Sequence, residues 1–207
     1  MFTNRTEAGE RLGDLLRERG VDADVVLAIP RGGLPVGRAV ADALSVPLDV
    51  VVARKLGAPD NPELAVGAVG ADGVWLNEEV VSALGVDEGY LEAERERQAA
   101  VVEEKRERYR GDRPPPDLEG ATVLLVDDGV ATGATATACV RSVRAAGAAR
   151  VVLAVPVAPP RSVDRLRGVA DEVVAVETPA RFGAVGNHYR AFGQVPDGEA
   201  RSYLDRD

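Results

Sequence analysis

"VLLVDDGVATGAT" (Val123–Thr135) decides how this chain is read. An apolar run ends in two adjacent acids, and small residues and hydroxyls follow with no basic residue among them. A short, continuously apolar run suits a strand covered on both faces, as in a parallel sheet. In such sheets ligands bind beyond the carboxyl ends of the strands. Asp127 and Asp128 stand at such an end, where the chain is leaving the sheet, so both can reach one ligand. Carboxylates only accept hydrogen bonds at neutral pH, so their partners are hydroxyls, such as a ribose diol, or Mg²⁺ through water. Gly129, Val130, Ala131, Thr132, Gly133, Ala134 and Thr135 then bring backbone N–H groups to the start of a helix. That is an anion cradle, and the two threonines add hydroxyl donors. A diol site beside a phosphate site describes a ribose 5-phosphate. The lysine of a P-loop is absent. A plain solvated strand end with a turn and a cap is the competing interpretation, and the spacing of threonines and small residues disfavours it.

Outward from this stretch, apolar strands alternate with helices. Strands are expected at 25–29 ("VVLAI"), 47–53 ("PLDVVVA"), 121–127, 150–157 and 171–177, and helices at 5–19, 34–44, 134–146 and 160–169. Residues 54–63 ("RKLGAPDNPE") have loop composition, and 64–77 suit a hairpin closing at "ADG". Residues 87–110 are dense in Glu and Arg spaced four apart, the pattern of a solvated helix face, and "DRPPPD" (112–117) is a stiff linker. The segment 178–196 fits neither period. The alternation implies an α/β fold with a mostly parallel, Rossmann-like sheet flanked by helices.

The totals agree. A length of 207 residues suits one domain, or one with a large insertion, and 45% apolar content can fill a core with aliphatic side chains. No run approaches the ~18 apolar residues of a membrane span and no leader pattern is present, so a cytoplasmic protein is expected. A single Cys139 and a single His188 exclude disulfides and multi-His metal sites. A net charge of −9 disfavours broad binding to nucleic acid. Only Lys55 and Lys105 of the 25 basic residues are lysines.

Val123–Thr135 resembles the phosphoribosyl diphosphate (PRPP) signature of type I phosphoribosyltransferases. "PRGG" (30–33) resembles the family's pyrophosphate loop, and "RKLGAP" (54–59) the basic start of its mobile loop. With "RFGAVGNHYRAFGQV" (181–195), nearly the whole chain is similar to a subgroup of predicted members with no settled acceptor. The resemblance implies one domain over 1–207: a core of about 21–55 and 118–177, a mobile loop with a hairpin and helical lid over 56–117, and a small hood from about 178–196 to which the N-terminus is a candidate contributor. It implies Mg²⁺-dependent transfer of ribose 5-phosphate from PRPP to an acceptor, a nucleobase first, with release of pyrophosphate. Asp127 and Asp128 would hold the ribose and, through water, Mg²⁺, with no direct protein ligand to the metal. Arg31, Gly32, Gly33, Arg54 and Lys55 would hold the pyrophosphate, with Arg31 and Lys55 counted as catalytic beside the two acids. Phe182 and Tyr189 are hood candidates over the acceptor, or packing residues. Asp60, Asn61 and Glu63 are read as turn residues rather than helpers in Mg²⁺ binding, Cys139 as core, and His188 as exposed rather than a contact to the acceptor. The loop often holds a non-proline cis peptide in the family, here Pro30–Arg31 or Arg31–Gly32. In one departure, Ala131 stands where 6-oxopurine enzymes carry an acid. The rival from another class is a non-catalytic PRPP-sensing regulator. A homodimer is a candidate assembly.

Overall fold

The computed structural model describes residues 1–71, 73–111 and 113–205. In chain order the elements are α1 (Arg5–Glu18), β1 (Val25–Ala28), α2 (Gly33–Leu44), β2 (Leu48–Val50), β3 (Ala53–Ala58), β4 (Asn61–Gly70), β5 (Val74–Leu76), α3 (Glu78–Leu84), α4 (Glu88–Arg110), β6 (Thr122–Val126), α5 (Ala134–Ala145), β7 (Arg150–Val157), α6 (Pro160–Leu166), β8 (Glu172–Glu177) and α7 (Asp197–Ser202). A 3₁₀ turn at Val185–His188 is the regular piece of the 178–196 segment.

Five strands form one sheet in the order β2-β1-β6-β7-β8, and every pairing is parallel. Parallel strands must be covered on both faces, and the strand residues divide accordingly. Leu124 and Val126 pack with Leu12 and Leu16 of α1 and Val36 and Val40 of α2. Val123 and Leu125 pack with Cys139 and Val143 of α5 and Leu166 of α6. That two-sided burial is why these strands read as unbroken apolar runs. The strand order reverses between β1 and β6, which is where an open α/β sheet forms its ligand crevice.

The segment between β2 and β6 departs from expectation. The run at 47–53 is two strands: β2 ends at Val50, and β3 begins at Ala53 in a second, antiparallel sheet of order β3-β4-β5. The expected loop at 54–63 is therefore mostly strand. Only Pro59 and Asp60 form the turn, Asn61 opens β4, and irregular pairing at Gly57 accommodates the glycine. Tertiary pairing has overridden local composition, because Leu56 and Ala58 are buried against Val66 and against Val102 of α4. The β4–β5 hairpin is present, its tip partly outside the described residues. The 112–117 linker also begins outside them. The small sheet docks on α5, with the Arg141 guanidinium 3.3 Å from the centroid of the Trp75 ring.

The acidic and basic helix α4 is less solvated than its charge suggests. Glu94, Gln98, Val102, Tyr109 and Arg110 are buried, and the helix packs on the β3–β4 hairpin. Its apolar stripe is thin because polar contacts share the interface: Arg110 Nε donates to Asp49 Oδ1 (3.1 Å), and Arg54 Nε donates to Gln98 Oε1 (3.0 Å). Among the described residues no helix is long and apolar enough to cross a membrane.

Candidate active site

The parallel pairing of β1 with β6 sets Ala28 beside Val126, and the Ile29 amide donates to the Val126 carbonyl at 2.8 Å. The two chains therefore leave the sheet side by side, one into Pro30–Gly33 and the other into Asp127–Asp128. Their contact is close. A Cβ on Gly32 would lie 2.0 Å from Asp128 Oδ2, and one on Gly33 would lie 2.8 Å from the Val126 carbonyl oxygen. Only glycines let this loop lie against the acids. The Pro30–Arg31 peptide is cis, one of the two bonds expected.

Asp127 Oδ1 accepts from the Asp128 amide at 2.8 Å, and Asp128 Oδ2 accepts from Arg5 Nε at 2.8 Å. Burial, and then the charge of Asp128, hold the Asp127 carboxyl well above the usual carboxylate range; the Asp128 amide and Arg5 oppose the shift. Burial also raises Asp128, again against Arg5. Two enclosed acids at the end of one strand thus lack full compensation, and hydroxyl donors or a cation would supply it.

Arg5 was not foreseen. It sits at the head of α1, 123 residues from Asp128, and only the fold brings the two together. Its Nη1 also donates to the Gly193 carbonyl (2.8 Å), and its guanidinium lies 3.9 Å from the Phe192 ring centroid. Both partners of the ion pair are largely buried, at 12% and 14% exposure. Arg5→Ala is expected to cost about 3 kcal/mol in urea unfolding at neutral pH, because it strands an enclosed carboxylate. The raised Asp128 is favoured by protonation, so this deficit should shrink as pH falls through its folded-state pKa. An unchanged urea midpoint, or a deficit independent of pH, would contradict the role.

The cradle follows directly. The Val130 amide donates to the Val157 carbonyl (2.9 Å), and the Ala131 carbonyl accepts from Ser162 Oγ (2.5 Å), which fixes the loop. Gly133 adopts φ +83° as the cap of α5 and offers no side-chain cap. Ala131, Thr132, Ala134 and Thr135 are exposed, while Val130 and Gly133 are buried and serve the loop's shape. The Ala134 amide donates to Thr132 Oγ1 only at a long 3.5 Å, so the first turn of α5 can still serve an anion.

The basic residues are distributed unevenly. Arg31 Nη1 lies 3.3 Å from Asp197 Oδ1 of α7, an oxygen that also accepts from Tyr109 Oη at 3.1 Å. Neither Asp197 nor α7 was anticipated. Burial and Asp197 push the Tyr109 hydroxyl upward, so it stays a donor. Arg54 is tethered to α4 through Gln98, and Lys55 is half-buried. Arg54, Lys55, Pro30, Thr135 and Cys139 line a cavity of about 330 Å³. Burial pushes the Cys139 thiol up to about 12, so it stays neutral and fills the core.

The hood divides its two aromatic candidates. Phe182 lines a second cavity of about 430 Å³ with Ala131, Thr132, Pro159 and Arg161. Tyr189 instead faces inward: it is 6% exposed, packs between Phe2 (5.3 Å) and Phe192 (4.9 Å), and donates to the Asp128 carbonyl at 2.5 Å. It braces the acid turn, not the acceptor. His188 is half-buried and bonded through Nε2 to the Phe182 carbonyl at 2.9 Å, not exposed. Asp60 is exposed at the hairpin tip; the Glu63 side chain lies outside the description.

A family model described as "Phosphoribosyl transferase domain" matches residues 7–189. A curated Mycobacterium tuberculosis relative, provisionally named a phosphoribosyl transferase, is 47% identical over 207 residues; the match takes in 100% of this chain. The chain spans about half of that relative's length, 47%. The crystal structure of TT1426 from Thermus thermophilus is similar throughout, with a TM-score of 0.92 at 46% identity, covering 99% of this chain and 97% of that one.

Proposed function

The chain belongs to the phosphoribosyltransferase family, and on that premise we propose that it moves ribose 5-phosphate from PRPP to an acceptor nucleophile and releases pyrophosphate. The observation that carries this reading is the contact of Gly32 with Asp128 at the sheet's reversal point, one step from a helix start whose cap residue, Gly133, has no side chain. A diol site, a diphosphate loop and a phosphate cradle converge there.

Among the described residues, Arg5 engages one oxygen of Asp128 and the Asp128 amide one oxygen of Asp127. One oxygen of each carboxylate is left to accept a ribose hydroxyl. The amides of Ala131 to Thr135 receive the 5′-phosphate. The bond from the anomeric carbon to the diphosphate oxygen breaks, its electron pair leaves with pyrophosphate, and the acceptor's lone pair forms the new bond. Positive charge develops at the anomeric carbon between these steps, and the neighbouring carboxylates stabilise it by position alone. Gly32, Arg54, Lys55 and a released Arg31 serve the departing diphosphate. Asp127 and Asp128 are hard oxygen donors with incomplete compensation, which fits a hydrated Mg²⁺; when bound, it supplies positive charge to the leaving group. The acceptor occupies the cavity beside Phe182, a nucleobase being the first candidate for salvage in the cytoplasm. Ala131 offers no base there, so the acceptor's proton passes to solvent.

The test is PRPP with Mg²⁺ and a panel of ring bases and amines, following pyrophosphate. Acceptor-dependent release is expected. PRPP binding without release by any acceptor would favour a PRPP-sensing regulator, and no PRPP binding would end both readings.

A further inference from the structure

Helix α4 carries six basic residues, and five of them are arginines with a carboxylate partner. Arg95 pairs with Glu92, Arg97 with Glu94, Arg106 with Glu103, Arg108 with Glu104 and Arg110 with Asp49. The sixth is Lys105. The positions three and four residues to either side of it are Val101, Val102, Arg108 and Tyr109, so its own helix offers no acid on its face. Among the described residues Lys105 makes no ion pair. It is nevertheless half-buried, and it lines the 330 Å³ cavity together with Lys55, the chain's one other lysine, and Arg54. Among the described residues that line that cavity none is acidic, and Ala134 and Thr135 at the start of α5 line it as well. In a chain of net charge −9, the convergence of Arg54, Lys55 and Lys105 on one cavity is a local concentration of positive charge.

We propose that Lys105 is a further contact for the diphosphate end of the donor sugar, supplied by α4 to the cavity that the start of α5 also lines. This rests on the transferase reading. A compact ammonium on a flexible stem suits a diphosphate whose position changes as it leaves. It also gives α4 a role beyond covering the β3–β4 hairpin: the helix holds Arg54 through Gln98 and presents Lys105 to the same cavity.

Titration calorimetry with pyrophosphate and, separately, with ribose 5-phosphate tests this. Lys105→Ala should weaken pyrophosphate binding about tenfold and leave ribose 5-phosphate within twofold; Lys105→Arg should recover most of the loss. Unchanged pyrophosphate affinity in Lys105→Ala, or equal weakening of both ligands, would overturn the proposal. If the wild type binds ribose 5-phosphate but not pyrophosphate, the proposal falls while the cradle stands; if it binds neither, the transferase reading falls as well.

Discussion

Asp127→Asn combined with Asp128→Asn is expected to lower PRPP turnover at least about a thousandfold while the circular dichroism spectrum stays that of the wild type. The amides remain acceptors for the Asp128 N–H and for Arg5, so the hydrogen bonds that shape the turn persist. On the proposed mechanism the variant would lose negative charge beside the developing cation, and removing one well-aimed electrostatic contact costs roughly 10²–10³ in rate. Steady-state pyrophosphate release measures it, and near-normal release in a folded double variant would refute the assignment. The single change Asp127→Asn separates chemistry from stability. Because the Asp127 carboxyl is held well above its ordinary range, its ionisation opposes folding. Stability linked to it is fully present below the unfolded-state pKa and is lost as pH rises through the folded-state value. The Asn variant should therefore have a higher urea midpoint than the wild type at neutral pH, with the advantage fading in acid. A variant less stable at neutral pH would show that the enclosed charge is already compensated.

The second large effect comes from a residue with no side chain. Gly32→Ala would place a methyl group 2.0 Å from Asp128 Oδ2 and 2.6 Å from its Cγ. The backbone of Gly32 has an ordinary right-handed conformation, φ −62°, so the substitution carries no dihedral penalty. The conflict falls on the carboxylate, which must turn away and loosen its bond to Arg5. A misplacement of about 1 Å at a reacting centre costs on the order of 10²-fold. We expect kcat/KM for PRPP to fall by about that factor, with a much smaller change in thermal midpoint. Gly198→Ala, where nothing lies within 4 Å, is the matched control. Equal kinetics in the two variants would separate the loop from the acids.

The strands that carry the site were readable because both of their faces are covered, which leaves a continuous apolar run ending in charged residues. The acid pair and the turn that leads into α5 could be grouped as a candidate site because they are contiguous. Arg5 and Asp197 were not, since each meets its partner across more than 120 residues, 123 for Arg5 to Asp128 and 166 for Arg31 to Asp197. Tyr189 shows the same limit: an aromatic in a hood has the same local signature whether it faces a ligand or the core. The β3 strand was hidden by Gly57, Pro59 and Asp60, whose turn chemistry is real but confined to the hairpin tip. Short helices α3 and α7 carry cues, Asn77 accepting from the Val80 amide and Gly85 at φ +58° for the former, yet too few turns for a periodicity to register.

Trp75 is the chain's single tryptophan, and it sits on the small sheet beneath Arg141. Its emission therefore tracks the environment where that sheet meets α5, and the large sheet is optically silent at the same wavelength. A denaturation curve followed by tryptophan emission reports undocking of the hairpin layer, whereas far-ultraviolet ellipticity reports the helices of the central body. Coincident midpoints would mean that the two sheets melt as one cooperative unit. An earlier emission transition would mean that the layer carrying Arg54 and Lys55 detaches while the cradle is still intact.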